Sequence, residues 1–222
     1  MLNLYKALFS YILLIFISIN AYSQYTEWEK DVVYHDIQFK KVRFLIESND
    51  TLIIQGVVKK EAIVNGIPCK RGVVLINDWE LKTFILADDY TIDGVEYPEW
   101  TKINHGQKGT LIFLGEDMEY QGYCCNGNYK KWYSTGIHTT LYPNGRLKGF
   151  YPCQNVVIDN IPCKSSPFAN VHLHPNGKLK DCTLYAEYEI EGKMYKKNTH
   201  VSFDENGKLI RADKYVLWWL RK

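Results

Sequence analysis

The sequence predicts an all-β protein: an antiparallel meander of tandem β-hairpin repeats forming a single-layer, elongated or partly rolled sheet. Three observations carry that expectation. The chain holds 17 Tyr, 9 Phe and 6 Trp, and aromatic residues, with Val and Ile, suit a pleated, half-buried surface. Leucines recur at Leu52, Leu81, Leu111, Leu147, Leu179 and Leu209, with spacings of 29, 30, 36, 32 and 30 residues, a period typical of repeat arrays. The segments around each leucine alternate apolar and polar residues, as strands do. The remaining composition, 46% hydrophobic and 23% charged over 222 residues, is that of an ordinary globular chain with room for one large domain or two small ones. A formal charge of +2 supplies no strong positive field, which argues against a nucleic-acid partner.

Residues 1–23 read as a signal peptide. One charge, Lys6, precedes an apolar run from Ala7 to Ile19 and the segment Ala21-Tyr22-Ser23, which places cleavage near Ser23, before Gln24. The run is shorter than the ~20 residues that a spanning helix needs, so no membrane span is expected in the mature chain. Removing 23 of 222 residues leaves 199, secreted or periplasmic. Residues 24–41, with Trp28, Tyr34, Ile37 and Phe39, are expected to form an N-terminal cap over the open sheet edge.

Residues 42–211 form the array of about five units between the six leucines. Two residues before each leucine stand Asp50, Trp79, Gly109, Gly145, Gly177 and Gly207, and the last three glycines follow Asn. Asn-Gly suits a type I′ hairpin turn because both residues tolerate positive φ. Eight residues before the leucines come Phe44, Val73, Ile103, Thr139, Val171 and Val201, and six before come Ile46, Leu75, His105, Leu141, Leu173 and Phe203. Five of six are apolar at each position, which predicts one buried strand face; His105 is the exception. Downstream, Val64-Asn65-Gly66, Ile92-Asp93-Gly94, Tyr120-Gln121-Gly122, Ile158-Asp159-Asn160 and Ile190-Glu191-Gly192 supply a second turn, giving ten or more strands at two per unit. Residues 212–222 are expected to form a C-terminal cap, in which Trp218-Trp219 lie on a short helix or a last strand.

The stretches Leu141-Tyr142-Pro143-Asn144-Gly145-Arg146-Leu147, His174-Pro175-Asn176-Gly177-Lys178-Leu179 and Phe203-Asp204-Glu205-Asn206-Gly207-Lys208-Leu209 resemble bacterial MORN-type hairpin repeats of the form aromatic-x-x-Asn-Gly-Lys-Leu. The resemblance covers the second half of the chain well and the first half through the internal period. It implies an extended hairpin scaffold that serves as an interaction or structural platform, with no catalytic residues.

Six cysteines in an exported chain invite disulfides, but Cys69, Cys125 and Cys163 share one repeat position with Tyr97 and Tyr195, the pattern of a buried packing site. Equivalent residues two strands apart lie about 9–10 Å from each other, beyond the ~7 Å that a bridge tolerates. Two alternatives stay open: free buried thiols, or a bridge between Cys163 and Cys182 or between Cys153 and Cys163. Val171 and Leu173 face the core in this register, so His172 and His174 face solvent and lack the further ligands of a zinc site. No nucleophile, phosphate-loop or metalloprotease motif is present. The expectation is therefore no catalytic, cofactor-binding or metal residues and no cofactor. The 36-residue unit, which holds Cys124-Cys125, Tyr129, Trp132 and Tyr133, is the place to look for recognition, because insertions in repeat arrays map to binding loops.

The leading functional expectation is a non-catalytic binding or envelope-associated scaffold, not an enzyme, whose partner is an unknown protein or envelope component. One alternative is a secreted enzyme with its site near the 36-residue unit. Another is an exported inhibitor or immunity-type protein.

Overall fold

The computed structural model describes residues 24–47, 50–77, 80–129 and 136–214. The expected signal peptide, Trp132, Tyr133 and Trp218-Trp219 lie outside them.

The chain begins with β1 (Gln24–Tyr25), β2 (Glu29–Tyr34), β3 (Ile37–Glu47) and β4 (Asp50–Val58). A short hairpin of β5 (Ala62–Val64) and β6 (Ile67–Cys69) follows, and then a long one of β7 (Gly72–Asn77) and β8 (Glu80–Ile85). The alternation continues with short β9 (Tyr90–Ile92) and β10 (Val95–Tyr97), long β11 (Lys102–Gly106) and β12 (Gly109–Phe113), and short β13 (Met118–Tyr120) and β14 (Tyr123–Cys125). Next come β15 (Thr139–Leu141) with β16 (Leu147–Phe150), β17 (Val156–Ile158) with β18 (Ile161–Cys163), and β19 (Val171–Leu173) with β20 (Leu179–Thr183). The described chain closes with short β21 (Tyr188–Ile190) and β22 (Lys193–Tyr195) and long β23 (Thr199–Phe203) and β24 (Leu209–Lys214).

The protein is all-β, and its long hairpins join into one antiparallel sheet that does not close into a barrel. Thirteen strands follow the path β1-β3-β4-β7-β8-β11-β12-β15-β16-β19-β20-β23-β24, while β2 pairs with β3. β1 and β2 lie end to end along the outer edge of β3. At the other end, Ala212, Arg211 and Asp213 belong to the last long strand and pair with β23.

Each unit thus carries four strands rather than two. The second turn of each unit does not bend the returning strand; it makes a separate two-stranded sheet. Val64, Cys69, Tyr97, Tyr120, Cys125, Ile158, Cys163 and Ile190 from these short hairpins share one core with Phe39, Phe84, Ile103, Phe150, Leu179 and Val201 of the main sheet. One sheet face is therefore covered by its own short hairpins. Isolated bridges Cys69↔Leu86, Cys125↔Pro152 and Cys163↔Leu184 hold three of them against the main strands.

The two classes of turn exchange the roles that the sequence suggested. The type I′ geometry sits in the short hairpins, where both central residues have positive φ: Asn65 50° and Gly66 80°, Asp93 51° and Gly94 77°, Asp159 49° and Asn160 66°. At Asn144-Gly145 only the glycine is left-handed, at 76°. There the Gly145 amide donates to Tyr142 O and the Tyr142 amide to Arg146 O, the three-residue loop that ends in a bulge. The extra residue shifts the register beyond Thr140, so Leu141 pairs with Leu147; the same shift pairs Leu173 with Leu179 and Phe203 with Leu209.

That bulge decides which face the leucine takes, because a one-residue slip turns every following side chain over. Leu147 and Leu179 enter the core. In the unit of Leu81 the alignment by leucine spacing is out by one, whereas Ile103, eight residues before Leu111, is buried as expected. Val74 and Ile76 are buried, and Val73, expected in the core, is 46% exposed.

A side chain from the preceding short hairpin caps each of the last three bulges. Gln121 Oε1 accepts the Leu147 amide at 2.9 Å, Asp159 Oδ2 the Leu179 amide at 2.7 Å, and Glu191 Oε1 the Leu209 amide at 3.0 Å. Asp159→Ala leaves a half-buried N–H unpaired and places Ala in a left-handed turn position, and is expected to cost about 2 kcal/mol in denaturant unfolding. Asp159→Asn keeps an acceptor and tolerates the turn, so most of that loss is expected to be restored.

Candidate functional site

The array breaks its own pattern at one long hairpin. β11 and β12 pair without a bulge across a two-residue turn, with Asn104 opposite Leu111, His105 opposite Thr110 and Gly106 opposite Gly109. In this register Ile103 and Ile112 are buried, whereas Leu111 is only half-buried, on the other face. The two core-side positions at the turn end, filled elsewhere by Leu141 with Leu147 or Leu173 with Leu179, are here His105 and Thr110.

A cleft of about 530 Å³ opens at this place. Its floor is Ile103, Ile112 and Val95, with Leu141 beside them. One wall is the β9–β10 hairpin, with Asp93 at its tip and Tyr97 at its open end. The other is the tip of β13–β14, with Tyr120 and Gln121, and the loop Tyr142–Gly145. The Tyr97 and Tyr120 rings stack with centroids 6.5 Å apart, and the Tyr120 hydroxyl donates to Gly145 O at 3.0 Å. Gln121 Nε2 donates to the same carbonyl. The β13–β14 wall is thus held by hydrogen bonds that bridge short hairpin and long loop.

His105 Nδ1 meets Thr110 Oγ1 at 3.1 Å. Burial and the nearby Lys82 ammonium push the imidazole below its ordinary value, against the pull of Asp93 and Glu80, so it is neutral at pH 7. Lys82 is itself ion-paired with Glu80. Burial drives the Tyr97 phenol well above its usual range, with the neighbouring Tyr120 and the Asp93 carboxylate adding to the rise. Asp93 occupies the turn position from which Gln121, Asp159 and Glu191 cap their leucine amides. Among the described residues it accepts no hydrogen bond and has no ion-pair partner, and its charge acts on His105, Tyr97 and Tyr120.

The cysteine column is a packing site. Cys69, Cys125 and Cys163 are free and fully buried, Tyr97 is buried beside them in the pattern, and Tyr195 is half-buried. Burial pushes the Cys69 and Cys125 thiols up to about 12, the reverse of what a nucleophile requires. Cys182 is raised by its hydrogen bond with Cys163 and by burial.

The bridge is one that sequence spacing did not single out. Cys124 pairs with Cys153, Cα atoms 5.6 Å apart, while Cys163 and Cys182 touch as free thiols. The expectation of Cys163–Cys182 or Cys153–Cys163 assumed one continuous sheet. Because β14 instead belongs to a hairpin laid on the sheet, Cys124 faces away from Cys125 and meets the chain leaving β16, where the Cys153 amide donates to Cys124 O at 3.2 Å.

His172 stands on the open face, as expected, with Nδ1 on Asp181 Oδ1 at 2.7 Å and Nε2 on Asn170 Nδ2 at 3.0 Å. His200 Nε2 lies 3.9 Å from the same carboxylate oxygen. His174 does not face solvent. It is buried at the start of its turn, and its Nε2 meets Phe203 O at 3.0 Å, as the equivalent Tyr142 hydroxyl donates to Leu173 O at 2.9 Å. His174 departs from the strand alternation because β19 ends at Leu173 and the chain has already entered the turn. Among the described residues no group of three or more His, Cys, Asp or Glu is placed to hold a metal ion. Tyr129, from the 36-residue unit, packs against Phe113 on the open face, with His138 and Tyr151 beyond it.

No protein-family model, curated protein or solved structure matches the chain. Among the described residues no helix is long and apolar enough to cross a membrane.

Two outcomes test this description. Mass spectrometry of the denatured protein is expected to show one bridge, a gain of about 2 Da on reduction, with alkylation of the other four cysteines requiring unfolding; Cys124→Ser with Cys153→Ser should lose about 2–4 kcal/mol of stability. The His200 imidazole is pushed below its ordinary value by burial, which outweighs the Asp181 carboxylate, so in the window around the ordinary imidazole value of about 6.5 the unfolded chain takes up a proton that the folded chain resists. Stability is therefore expected to fall with pH across that window, and His200→Asn to flatten part of the fall, the remainder belonging to His105, which is shifted the same way.

Proposed function

We propose that the chain is an exported, non-catalytic hairpin-repeat scaffold that recognises its partner, an envelope component or protein, through the cleft at β11–β12. The observation that carries this reading is the single broken register. Where Ile76 pairs with Leu81, Leu141 with Leu147, Leu173 with Leu179 and Phe203 with Leu209 at the turn ends of four other long hairpins, this one places His105 and Thr110, and the space so left is walled by tyrosines. Pockets of this size, apolar below with a few polar groups at the rim, are characteristic of binding sites.

Several features support the rest of the reading. Burial pushes the Cys69 and Cys125 thiols up, away from nucleophile character. The Cys124–Cys153 bridge suits an oxidising compartment outside the cytoplasm, in agreement with a signal peptide ending near Ser23. The resemblance of the last three long hairpins to MORN-type repeats points the same way, toward an interaction platform, while the short N-terminal apolar run and the formal charge of +2 favour a mature chain without a membrane span and without a nucleic-acid partner.

The test fills the cleft. His105→Leu with Thr110→Leu restores the apolar pair of the other hairpins and is expected to fold with unchanged circular dichroism and equal or higher Tm. Immobilised wild-type protein should retain a component of envelope extract that the filled variant does not. Equal retention by both proteins, or none by either, rejects the cleft as the recognition site.

A further inference from the structure

The charge pattern of the cleft says what kind of ligand it takes. Its floor of Ile103, Ile112 and Val95 is aliphatic, and no lysine or arginine lines it. Asp93 is the one carboxylate at the wall, and its usual structural duty in this array, accepting a leucine amide, has no counterpart here because β12 has no bulge amide to offer. Lys82, the ammonium that acts on His105, is ion-paired with Glu80. The His105 ring spends Nδ1 on Thr110 and adds no positive charge at neutral pH.

We propose that this cleft binds an organic ammonium on an apolar body, with the ammonium on Asp93 and the body on the Ile103–Ile112–Val95 floor. This deepens the recognition reading above and rests on it. Electrostatics select the cation over its alternatives. An anion meets an uncompensated carboxylate, and a neutral ligand of the same shape covers that carboxylate without pairing it, which costs free energy. A cation pairs the carboxylate as both lose water, and the tyrosine rings of the walls present π-faces or hydroxyl oxygens that favour positive charge. The hydrogen bonds of Tyr120 and Gln121 to Gly145 O hold the wall in place before a ligand arrives, so little ordering opposes binding.

The experiment uses three probes with one body and three charges: 2-phenylethylamine, 2-phenylethanol and 3-phenylpropionate, titrated at low salt into the full mature protein and followed by isothermal calorimetry and by the histidine NMR signals. The ammonium is expected to bind at least about tenfold more tightly than the alcohol, a difference of about 1.4 kcal/mol, and the carboxylate most weakly. Asp93→Asn should bring the ammonium down to the affinity of the alcohol and leave the alcohol unchanged, which shows that the cleft itself is intact. A lysine derivative, Nα-acetyl-lysine methylamide, separates the two sources of this chemistry: affinity matching phenylethylamine assigns a polypeptide side chain, and weaker affinity assigns a free aromatic amine. Equal binding of the ammonium and the alcohol, or an unaltered ammonium affinity in Asp93→Asn, overturns the ligand class while leaving the cleft a recognition site. No binding of the ammonium up to about 10 mM also overturns the ligand class. Joined to equal extract retention by the wild-type and filled proteins, it removes the recognition reading as well.

Discussion

The array depends on one recurrent interaction: the amide of the leucine at the bulge, donated to the side chain of the first turn residue in the preceding short hairpin. The bulge frees that N–H from the ladder, and at Leu147 and Leu179, where it is half-buried, leaving it unpaired costs about 1–3 kcal/mol. Gln121, Asp159 and Glu191 supply the acceptor at 2.7–3.0 Å. In satisfying the amide they also seat the short hairpin on the sheet face that its Val, Ile and Cys residues cover. Register, core composition and the position of the covering layer thus follow from the same bond. Tyr142 to Leu173 O and His174 to Phe203 O then tie each turn to the next, so stability is carried by nearest neighbours, as in other linear repeats.

The same dependence explains why one omission has a large local effect. Without a bulge at β11–β12 there is no leucine amide to cap, so Leu111 turns to the opposite face, Asp93 is released from its structural role, and the core loses two large apolar side chains at once. The neighbouring short hairpin does not collapse into the space, because it is anchored from elsewhere. Its tip is held by Tyr120 and Gln121 on Gly145 O, and its far strand by the Cys124–Cys153 bridge. The disulfide therefore sits where it fixes a wall of the cleft, and the 36-residue unit contributes to the site through that wall.

The open face of the sheet is different in kind. Its cross-strand row runs Thr140, Gly149, His172, Asp181, Ser202 and Arg211 through successive registers. Gly149 is part of the reason that His172 can lie flat across this row, since a Cβ there would stand 2.6 Å from its Cδ2. Burial raises the Asp181 carboxylate, but the His172 hydrogen bond and the field of His172 and His200 outweigh it and hold the group below its ordinary value. These groups satisfy one another, which distinguishes them from the unpartnered Asp93.

Much of the fold was legible from the residues alone. The leucine period, the turn pairs and the Cys/Tyr column defined an all-β array of hairpins, and the column's buried thiols followed from its exchange of Cys for Tyr. The apolar positions six and eight before each leucine were assigned correctly from Thr139 to Phe203, where the bulged loop is constant. His105, the residue that spoiled the apolar pattern, marked the cleft. What the sequence could not decide was every feature that turns on a single residue of register or on layers meeting in space: the outward slip of Val73, the burial of His174, the separate short hairpins, the Cys124–Cys153 pair and the release of Asp93. The physical reason is that periodicity records which residues alternate, whereas a bulge inserts one residue and reverses the faces beyond it. Only the tertiary structure shows where that residue has been inserted, and where it has been left out.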